Sequence, residues 1–171
     1  MSHAQSLLKK TQAIALVITD IDGVLTNGQI YYTNQGETIT GFNIQDGFGI
    51  RLLLKHHIPV GVLTGRKNPA VMHRMRELGV EHVYQGLSDK VPAYETLLKT
   101  LKLTDAEVAY IGDDLPDLPV LKRVGLSVSP ADGNSQITQM TDFVTKANGG
   151  QGAFRELADL IFKAKNINVL V

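Results

Sequence analysis

The chain has 171 residues, no cysteine, and equal numbers of acidic and basic side chains, 17 of each. This length and an ordinary soluble composition predict one folded domain over residues 1–171. Without cysteine there is no disulfide, zinc–thiolate site or thiol nucleophile, and the balanced charge argues against nucleic acid or a membrane as partner. No apolar run typical of a signal peptide is present, so we expect a cytoplasmic protein.

Short apolar runs alternate with segments of helical periodicity along the chain. Residues 13–19 are predicted to form a fully buried strand, because this run is continuously apolar. Further strands are predicted at 58–64, 80–85, 108–112, 125–129 and 142–145, and helices near 47–56, 68–78, 89–101, 115–123, 134–139 and 151–164. Strands separated by helices predict right-handed crossovers and a parallel sheet covered on both faces, a three-layer Rossmann-like α/β fold.

One segment interrupts this alternation. Residues 27–43 contain two β-rich halves around a glycine-containing turn at 34–37. This pattern predicts a β-hairpin that protrudes after the first strand, with an irregular surface loop as the alternative. On a monomer the hairpin would expose an apolar patch, made of Ile30, Tyr31, Tyr32, Ile39 and Phe42. The alternative is that this face packs on its own domain.

Two carboxylates follow the first strand. Asp20 and Asp22 are two positions apart, so their side chains can point to the same side. Two carboxylates together are unfavourable unless a cation lies between them, and hard oxygen ligands suit Mg²⁺. Gly23 then allows a sharp backbone turn. The alternative is that these aspartates are ordinary turn residues at a strand end.

Three more predicted strands end in polar residues of related chemistry. Thr64, Gly65 and Arg66 end one strand, Lys90 follows the next, and an acidic stretch at 113–117 follows the one after. The carboxyl ends of parallel strands meet at one edge of the sheet, which is where ligands bind in such folds. We therefore expect one site that combines aspartates, a threonine and a lysine.

These residue types match the needs of phosphoryl transfer, which requires an in-line nucleophile and positive charge around the phosphoryl oxygens. Asp20 is the predicted nucleophile, because carboxylates form aspartyl-phosphates. Asp22 is the predicted general acid and base. Thr64 and Lys90 are predicted to hold the phosphoryl oxygens, and Asp113 to complete a magnesium site.

The order of these motifs resembles that of the haloacid-dehalogenase superfamily. The resemblance rests on D-x-D-G-V-x-T at 20–26, T-G-R at 64–66, Lys90 and G-D-D-x-x-D at 112–117. It implies that Asp20, the backbone carbonyl of Asp22 and Asp113 bind Mg²⁺. It also implies that Asp114 and Asp117 either support these ligands or have a structural role.

The intervals between the motifs leave no space for a cap domain. Only the hairpin, one helix and one strand fit between Asp22 and Thr64, and only one helix and one strand between Thr64 and Lys90. A site without a cap is open to water unless another element closes it. We expect the hairpin to do so, in the active site of a neighbouring subunit.

Several cations and amides indicate a second anionic group on the substrate. Residues 43–49 lead into a helix whose amino end is suited to an anion. Arg51, Arg66 and Arg74 are each able to bind a carboxylate or a phosphate through two parallel hydrogen bonds. The alternative for each arginine is a solvated surface cation.

A narrower similarity extends over nearly the whole chain. The segments 20–28, 42–50, 63–66, 84–90, 110–117 and 149–156 are similar to the family of 3-deoxy-D-manno-octulosonate 8-phosphate (KDO 8-phosphate) phosphatases. This similarity implies a homotetramer assembled through hairpins, a mobile carboxy-terminal tail at about 165–171, and a place in lipopolysaccharide biosynthesis. It implies substrate contacts at Asp22, Asn43, Ile44, Gln45, Asp46, Gly47, Arg51, Arg66, Arg74 and Lys90.

Other functions remain open at this point. A phosphatase for a nine-carbon sialic or deaminated sialic acid 9-phosphate is the main alternative. A catalytically inactive relative is another, although no motif residue is missing. A receiver domain also gathers aspartates, a threonine and a lysine around Mg²⁺, but its phosphorylated aspartate precedes the threonine, whereas the last acids here follow Lys90.

Overall fold

Six parallel strands form the central sheet in a computed structural model that describes residues 2–169. The strands are β1 (Leu16–Thr19), β4 (Val60–Thr64), β5 (His82–Gln85), β6 (Val108–Ile111), β7 (Leu126–Ser129) and β8 (Phe143–Val144). Their order in the sheet is β5-β4-β1-β6-β7-β8, and every neighbouring pair is parallel. The prediction of a parallel α/β sheet is confirmed.

The helices are α1 (His3–Ala13), α2 (Ile44–Lys55), α3 (Pro69–Leu78), α4 (Val91–Leu101), α5 (Leu118–Leu121), α6 (Ser135–Thr138) and α7 (Ala153–Ala164). Helix α2 begins before its predicted start because the Asn43 side chain caps it, accepting from the amide of Gln45 at 2.7 Å. The predicted helix at 115–123 is instead a 3₁₀ turn at Leu115–Asp117 followed by α5. Pro116 and Pro119 have no amide hydrogen to continue a longer helix.

The sheet separates two hydrophobic clusters. Helices α2, α3 and α7 pack with Val17 on one face, whereas α4 and α5 pack with Leu16 and Ile18 on the other. Strand β1 is thus buried on both sides, and full burial of each such side chain stabilises the fold by about 1.5–3 kcal/mol. This two-sided burial holds the strand ends rigidly at one edge.

The hairpin is present and protrudes as predicted. Strands β2 (Tyr31–Tyr32) and β3 (Thr38–Ile39) pair antiparallel, and Gly36 in the turn has φ +81°. Tyr32 and Ile39 are 66% and 59% exposed. The prediction that Phe42 belongs to this exposed patch is wrong, because Phe42 is partly buried against the core beneath α2.

The segments between the motifs hold only the predicted elements. Within residues 2–169, β1 and β4 are separated by the hairpin and α2, and β4 and β5 by α3 alone. The prediction of a fold without a cap domain is therefore confirmed. No helix in this part of the chain is both long and apolar enough to cross a membrane.

The two ends of the described chain lie together. Helix α1, which the sequence did not predict, contacts α7 and starts with a capping box formed by Ser2 and Gln5. Of the tail predicted at 165–171, Ile167 and Val169 pack partly against the core. Residues 170 and 171 lie outside the described residues, and the mobility of the tail stays a prediction.

Candidate active site

The carboxyl ends of four strands converge on an open cleft of about 250 Å³. Asp20 follows β1, Thr64 ends β4, Lys90 precedes α4, and Asp113 follows β6. The cleft is lined by Asp20, Asp22, Thr64, Gly65, Arg66, Lys90, Asp113, Asp114, Pro116 and Asp117. The structure thus brings together all the residues for which the sequence predicted catalysis or a magnesium site.

Another cavity, of about 710 Å³, lies along α3 and the end of β5. Its lining includes Lys67, His73 and Arg76 but no carboxylate. The predicted nucleophile and the predicted metal ligands all line the smaller cleft, so the candidate site is identified by its residues rather than by its volume.

Lys90 is the buried cation of the cleft. Its side chain is 3% exposed, and its Nζ lies 2.8 Å from Asp20 Oδ2 and 2.6 Å from Asp117 Oδ1. Burial alone would lower the pKa of Lys90, but the Asp20 and Asp117 carboxylates outweigh burial and raise it. Lys90 is therefore charged and compensates part of the negative charge around Asp20.

Asp117 is held from all sides. Its Oδ1 accepts from Lys90 and from the Tyr110 hydroxyl, and its Oδ2 accepts from the backbone amides of Asp113 and Asp114 at 3.0 and 3.3 Å. Gly112 makes room for it, because a Cβ there would lie 2.5 Å from Asp117 Cγ. Both oxygens are thus occupied, as expected for a carboxylate that supports the site from behind.

Carboxylate oxygens of Asp20, Asp113 and Asp117 lie within 4.8 Å of one another. Burial and the charge of Asp117 raise the pKa of Asp20 to about 6 and of Asp113 to about 7. Within residues 2–169 no hydrogen bond to the Asp113 carboxylate is found, so its oxygens are available as ligands. Two crowded carboxylates, one without a donor, fit a hard divalent cation such as Mg²⁺.

The D-x-D loop approaches Asp113 closely at Gly23. A Cβ at this position would lie 2.1 Å from Asp113 Oδ2, and Gly23 has φ +82°. Only glycine satisfies both conditions. The residue that turns the chain after Asp22 therefore also gives Asp113 its place beside Asp20.

Asp22 is more exposed than Asp20. Its carboxylate accepts from Arg66 Nη1 at 3.4 Å, and the two side chains are 34% and 39% exposed. It lines the cleft but does not belong to the group of three crowded carboxylates. This position is accessible to a leaving group, as a general acid requires; the role of its carbonyl as a metal ligand stays a prediction.

Most of the other predicted substrate contacts do not line this cleft. One of them, Asp46, has a structural role within the chain. Its carboxylate is buried and accepts from the backbone amides of Gly152 and Arg155 at 3.2 and 2.9 Å. These bonds join α2 to the start of α7. The remaining residues outside the cleft lining are Asn43, Ile44, Gln45, Gly47, Arg51 and Arg74, and their contact with a substrate stays a prediction.

Arg74 and Asp114 have partners within the chain. Arg74 pairs with Glu77 at 2.9 Å and passes over Gly47, where a Cβ would lie 2.3 Å from its Nη2. Asp114 is exposed and caps the following 3₁₀ turn, accepting from the amide of Leu115 at 2.8 Å. Asp114 thus has a structural function beside the cleft.

One buried contact of the site was not predicted from the sequence. Tyr110, in the middle of β6, places its hydroxyl 3.3 Å from Lys90 Nζ and donates to Asp117. Burial raises the pKa of Tyr110 well above its usual value, with the Asp117 charge adding to this effect. The available signal was a tyrosine within an otherwise aliphatic strand, two positions before the G-D-D motif.

Comparisons with known proteins agree with this geometry. A family model described as haloacid dehalogenase-like hydrolase matches residues 81–157. The 3-deoxy-D-manno-octulosonate 8-phosphate phosphatase KdsC of Yersinia pestis is 45% identical over 163 residues, which is 95% of this chain and 87% of that protein. The protein of the same name from Escherichia coli K12 is 45% identical over 93% of this chain and 85% of its own length.

Solved structures give the same result. A crystal structure of the phosphatase from Yersinia pestis matches with a TM-score of 0.93 and 45% identity, covering 95% of this chain and 88% of that one. The phosphatase from Moraxella catarrhalis, in complex with a magnesium ion, a phosphate ion and a KDO molecule, matches with a TM-score of 0.92 and 39% identity, covering 95% and 93%. This chain therefore belongs to the haloacid dehalogenase-like hydrolases and, within them, to the family of the 3-deoxy-D-manno-octulosonate 8-phosphate phosphatases.

Proposed function

We propose that this chain is a magnesium-dependent phosphatase that hydrolyses KDO 8-phosphate to KDO and inorganic phosphate. The observation that carries this proposal is the ion pair of Asp20 with the buried Lys90 at 2.8 Å, with a carboxylate oxygen of Asp113 within 4.8 Å of one of Asp20. The relative from Moraxella catarrhalis, solved with magnesium, phosphate and KDO, supports the choice of metal and substrate.

In the proposed reaction, a carboxylate oxygen of Asp20 attacks phosphorus. The new O–P bond gives an aspartyl-phosphate, and the bond from phosphorus to the sugar oxygen breaks. Asp22 donates a proton to the departing sugar alkoxide. Asp22 then takes a proton from water, which attacks the same phosphorus, so phosphate leaves and the Asp20 carboxylate is restored.

The other residues of the cleft neutralise and orient the phosphoryl group. Lys90 carries a positive charge next to Asp20, and the Thr64 hydroxyl lies at the same rim. We assign the metal to Asp20, Asp113 and the carbonyl of Asp22, with Asp114 and Asp117 behind them. A bound Mg²⁺ supplies charge stabilisation for the phosphoryl oxygens.

The remainder of the substrate is an acidic sugar, which requires cations near the cleft. Arg66 already lines it, and its guanidinium suits the carboxylate of a keto acid. We propose that Arg51, Arg74 and residues 43–47 also contact the substrate, in an assembly of several chains. These residues do not line the cleft of the single chain, and their assignment rests on the family resemblance.

We further propose that the chain acts as a homotetramer in the cytoplasm, in the synthesis of lipopolysaccharide. The assembly is supported by the exposed hairpin patch of Ile30, Tyr31, Tyr32 and Ile39, which are 46–66% exposed. The compartment and the pathway rest on the family resemblance alone. Exposed apolar patches of this kind mark interaction surfaces. Covering the patch with other subunits also closes clefts that lack a cap domain.

The test is a phosphate-release assay with a panel of sugar phosphates, each with magnesium and with a chelator. KDO 8-phosphate is expected to be the best substrate and to depend on magnesium. The panel includes a nine-carbon sialic acid 9-phosphate. Preference for that compound would replace the proposed substrate, and release unaffected by the chelator would contradict the proposed metal.

A further inference from the structure

The ammonium group of Lys90 has oxygen neighbours on three sides. Its Nζ lies 2.8 Å from Asp20 Oδ2, 2.6 Å from Asp117 Oδ1 and 3.3 Å from the Tyr110 hydroxyl. A lysine ammonium has three N–H donors and no acceptor. Two of these neighbours, Asp117 and Tyr110, accept hydrogen bonds from the ammonium, and Asp20 forms an ion pair with it. The two hydrogen bonds therefore restrict the direction of the group.

Tyr110 approaches this group from the protein interior. Its side chain is 0% exposed, lies in the cluster beneath α4, and does not line the cleft. Its single hydrogen is donated to Asp117 Oδ1, so its oxygen is left to accept from Lys90. Tyr110 and Asp117 thus accept two of the ammonium's hydrogens on the interior side, which leaves one N–H for the ion pair with Asp20 at the cleft.

Removing only the hydroxyl would disturb this arrangement in two ways. Asp117 Oδ1 would lose a donor and attract Lys90 more strongly. One N–H of Lys90 would lose its acceptor in a buried environment, where an unpaired donor is costly. The ammonium would then turn away from Asp20 to recover a partner.

We infer that Tyr110 is a positioning residue, which holds the ammonium group of Lys90 next to the carboxylate of Asp20. The inference rests on the proposed phosphatase function. It concerns the orientation of the nucleophile and its charge partner, and it assigns Tyr110 no contact with the substrate.

Tyr94 provides a matched control within the same core. It is also 0% exposed, belongs to the same hydrophobic cluster, and donates its hydroxyl hydrogen to a carboxylate, Asp105 Oδ1, at 2.7 Å. Asp105 does not line the cleft. Replacing Tyr94 by phenylalanine therefore removes a comparable hydrogen bond without touching Lys90.

The experiment compares the wild type with Tyr110→Phe and Tyr94→Phe. Phosphate release from KDO 8-phosphate at saturating magnesium gives kcat and KM, and urea unfolding gives stability. We expect Tyr110→Phe to lower kcat about 10- to 30-fold with KM within about two-fold, on the scale of one hydrogen bond to a charged group. Tyr94→Phe should keep kcat within about two-fold while losing comparable stability.

Equal kcat in wild type and Tyr110→Phe, or equal losses in both variants, would overturn the inference. A crystal structure of Tyr110→Phe gives a readout that is independent of turnover. We expect Lys90 Nζ to lie beyond hydrogen-bond distance of Asp20, whereas a retained contact of about 3 Å would contradict the inference. A wild type without phosphatase activity would instead refute the proposed function, and this distance would still decide the role of Tyr110.

If Tyr110→Phe does not fold, the wild type bound to a phosphoryl analogue decides the question. Lys90 is expected to keep its contact with the Tyr110 hydroxyl in that complex. Release of this contact while Lys90 stays on the analogue would overturn the inference.

Discussion

The cleft and the hairpin differ in how far a single chain completes them. In the cleft, Lys90 and Asp117 are almost fully buried, and each charge has partners within the same chain. In the hairpin, Tyr32 and Ile39 are mostly exposed, and the strands are two residues long. Isolated two-stranded hairpins are marginally stable. We therefore expect the single chain to supply the chemistry, and we propose that closure of the cleft needs an assembly of several chains.

The two regions are also destabilised by different effects, charge repulsion in the cleft and exposed apolar surface in the hairpin. The cleft crowds three carboxylates around one lysine, which a divalent cation relieves. The hairpin leaves apolar side chains in water, which another protein surface relieves. The cleft therefore suits a divalent cation and the hairpin suits another protein surface, and a substitution in one region leaves the other unchanged.

The largest expected effect comes from Lys90→Met. It leaves buried carboxylates without their cation, which typically costs about 3–5 kcal/mol. Urea unfolding of the metal-free protein should show this loss, and phosphatase activity should disappear. Lys99→Met, on the exposed side of α4, is the control and should change stability by less than about 0.5 kcal/mol. Equal effects of the two changes would contradict the central position of Lys90.

Asp113→Asn should change phosphatase activity and stability in opposite directions. Phosphate release should fall at least about 100-fold, because a proposed ligand of the magnesium ion is lost. At about pH 8, above the raised pKa of Asp113 of about 7, the metal-free protein should become more stable, because one charge leaves a crowded buried group. Phosphate release and urea unfolding measure the two effects. A variant that is less stable than wild type without magnesium would show that Asp113 is not repelled by its neighbours.

The cleft also predicts how stability depends on pH. The pKa values of Asp20 and Asp113 are raised to about 6 and about 7, mainly by burial and then by Asp117. Since these values exceed that of an unfolded aspartate, about 3.9, the stability they contribute is present at low pH. It is lost as the pH rises through about 6 and 7.

Urea unfolding without metal between about pH 5 and about pH 8 measures this contribution. The free energy of unfolding should fall with rising pH, and Asp113→Asn should reduce the slope. Magnesium should stabilise the protein more at the upper end of this range, because it binds the ionised carboxylates. Metal-free stability that rises with pH in wild type, and equally in the variant, would contradict the raised pKa values.

The smallest effect on the chain itself is expected in the hairpin. Tyr32→Ser together with Ile39→Ser should change the stability of the fold by less than about 0.5 kcal/mol for each exposed position. Light scattering should nevertheless show smaller particles than the wild type. Lys122→Ser, a surface change away from the hairpin, is the control. Unchanged particle size would contradict an assembly through this patch.

The sequence predicted the cleft well because it follows from topology. Once β1, β4, β5 and β6 are parallel, the residues after them must meet at one edge. The hairpin could be predicted for a different reason, since its turn and strands lie within one short segment of the sequence. The conformations of Gly23 and Gly36 follow from the turns that their positions require.

The contacts that the sequence did not predict join residues far apart in the chain. Tyr110 and Lys90 form a hydrogen bond although they are 20 residues apart in the sequence, and Asp46 and Arg155 do so although they are 109 residues apart. Local sequence patterns do not indicate such long-range contacts, so the bonds from the amides of Gly152 and Arg155 to Asp46 could not be predicted. The substrate contact of Asp46 stays a prediction. Helix α1 was missed because its helical pattern is weak, although Ser2 and Gln5 form a recognisable capping box.

The central claim is that Asp20 carries the phosphoryl group during turnover. The direct measurement is acid quenching of the wild type during turnover of KDO 8-phosphate, reduction of acyl phosphates with borohydride, and peptide mass spectrometry. We expect position 20 alone to be reduced to homoserine, only with substrate and magnesium, and not in Asp20→Asn. Modification at Asp22 or Asp113 instead, or continued phosphate release by Asp20→Asn, would contradict the account.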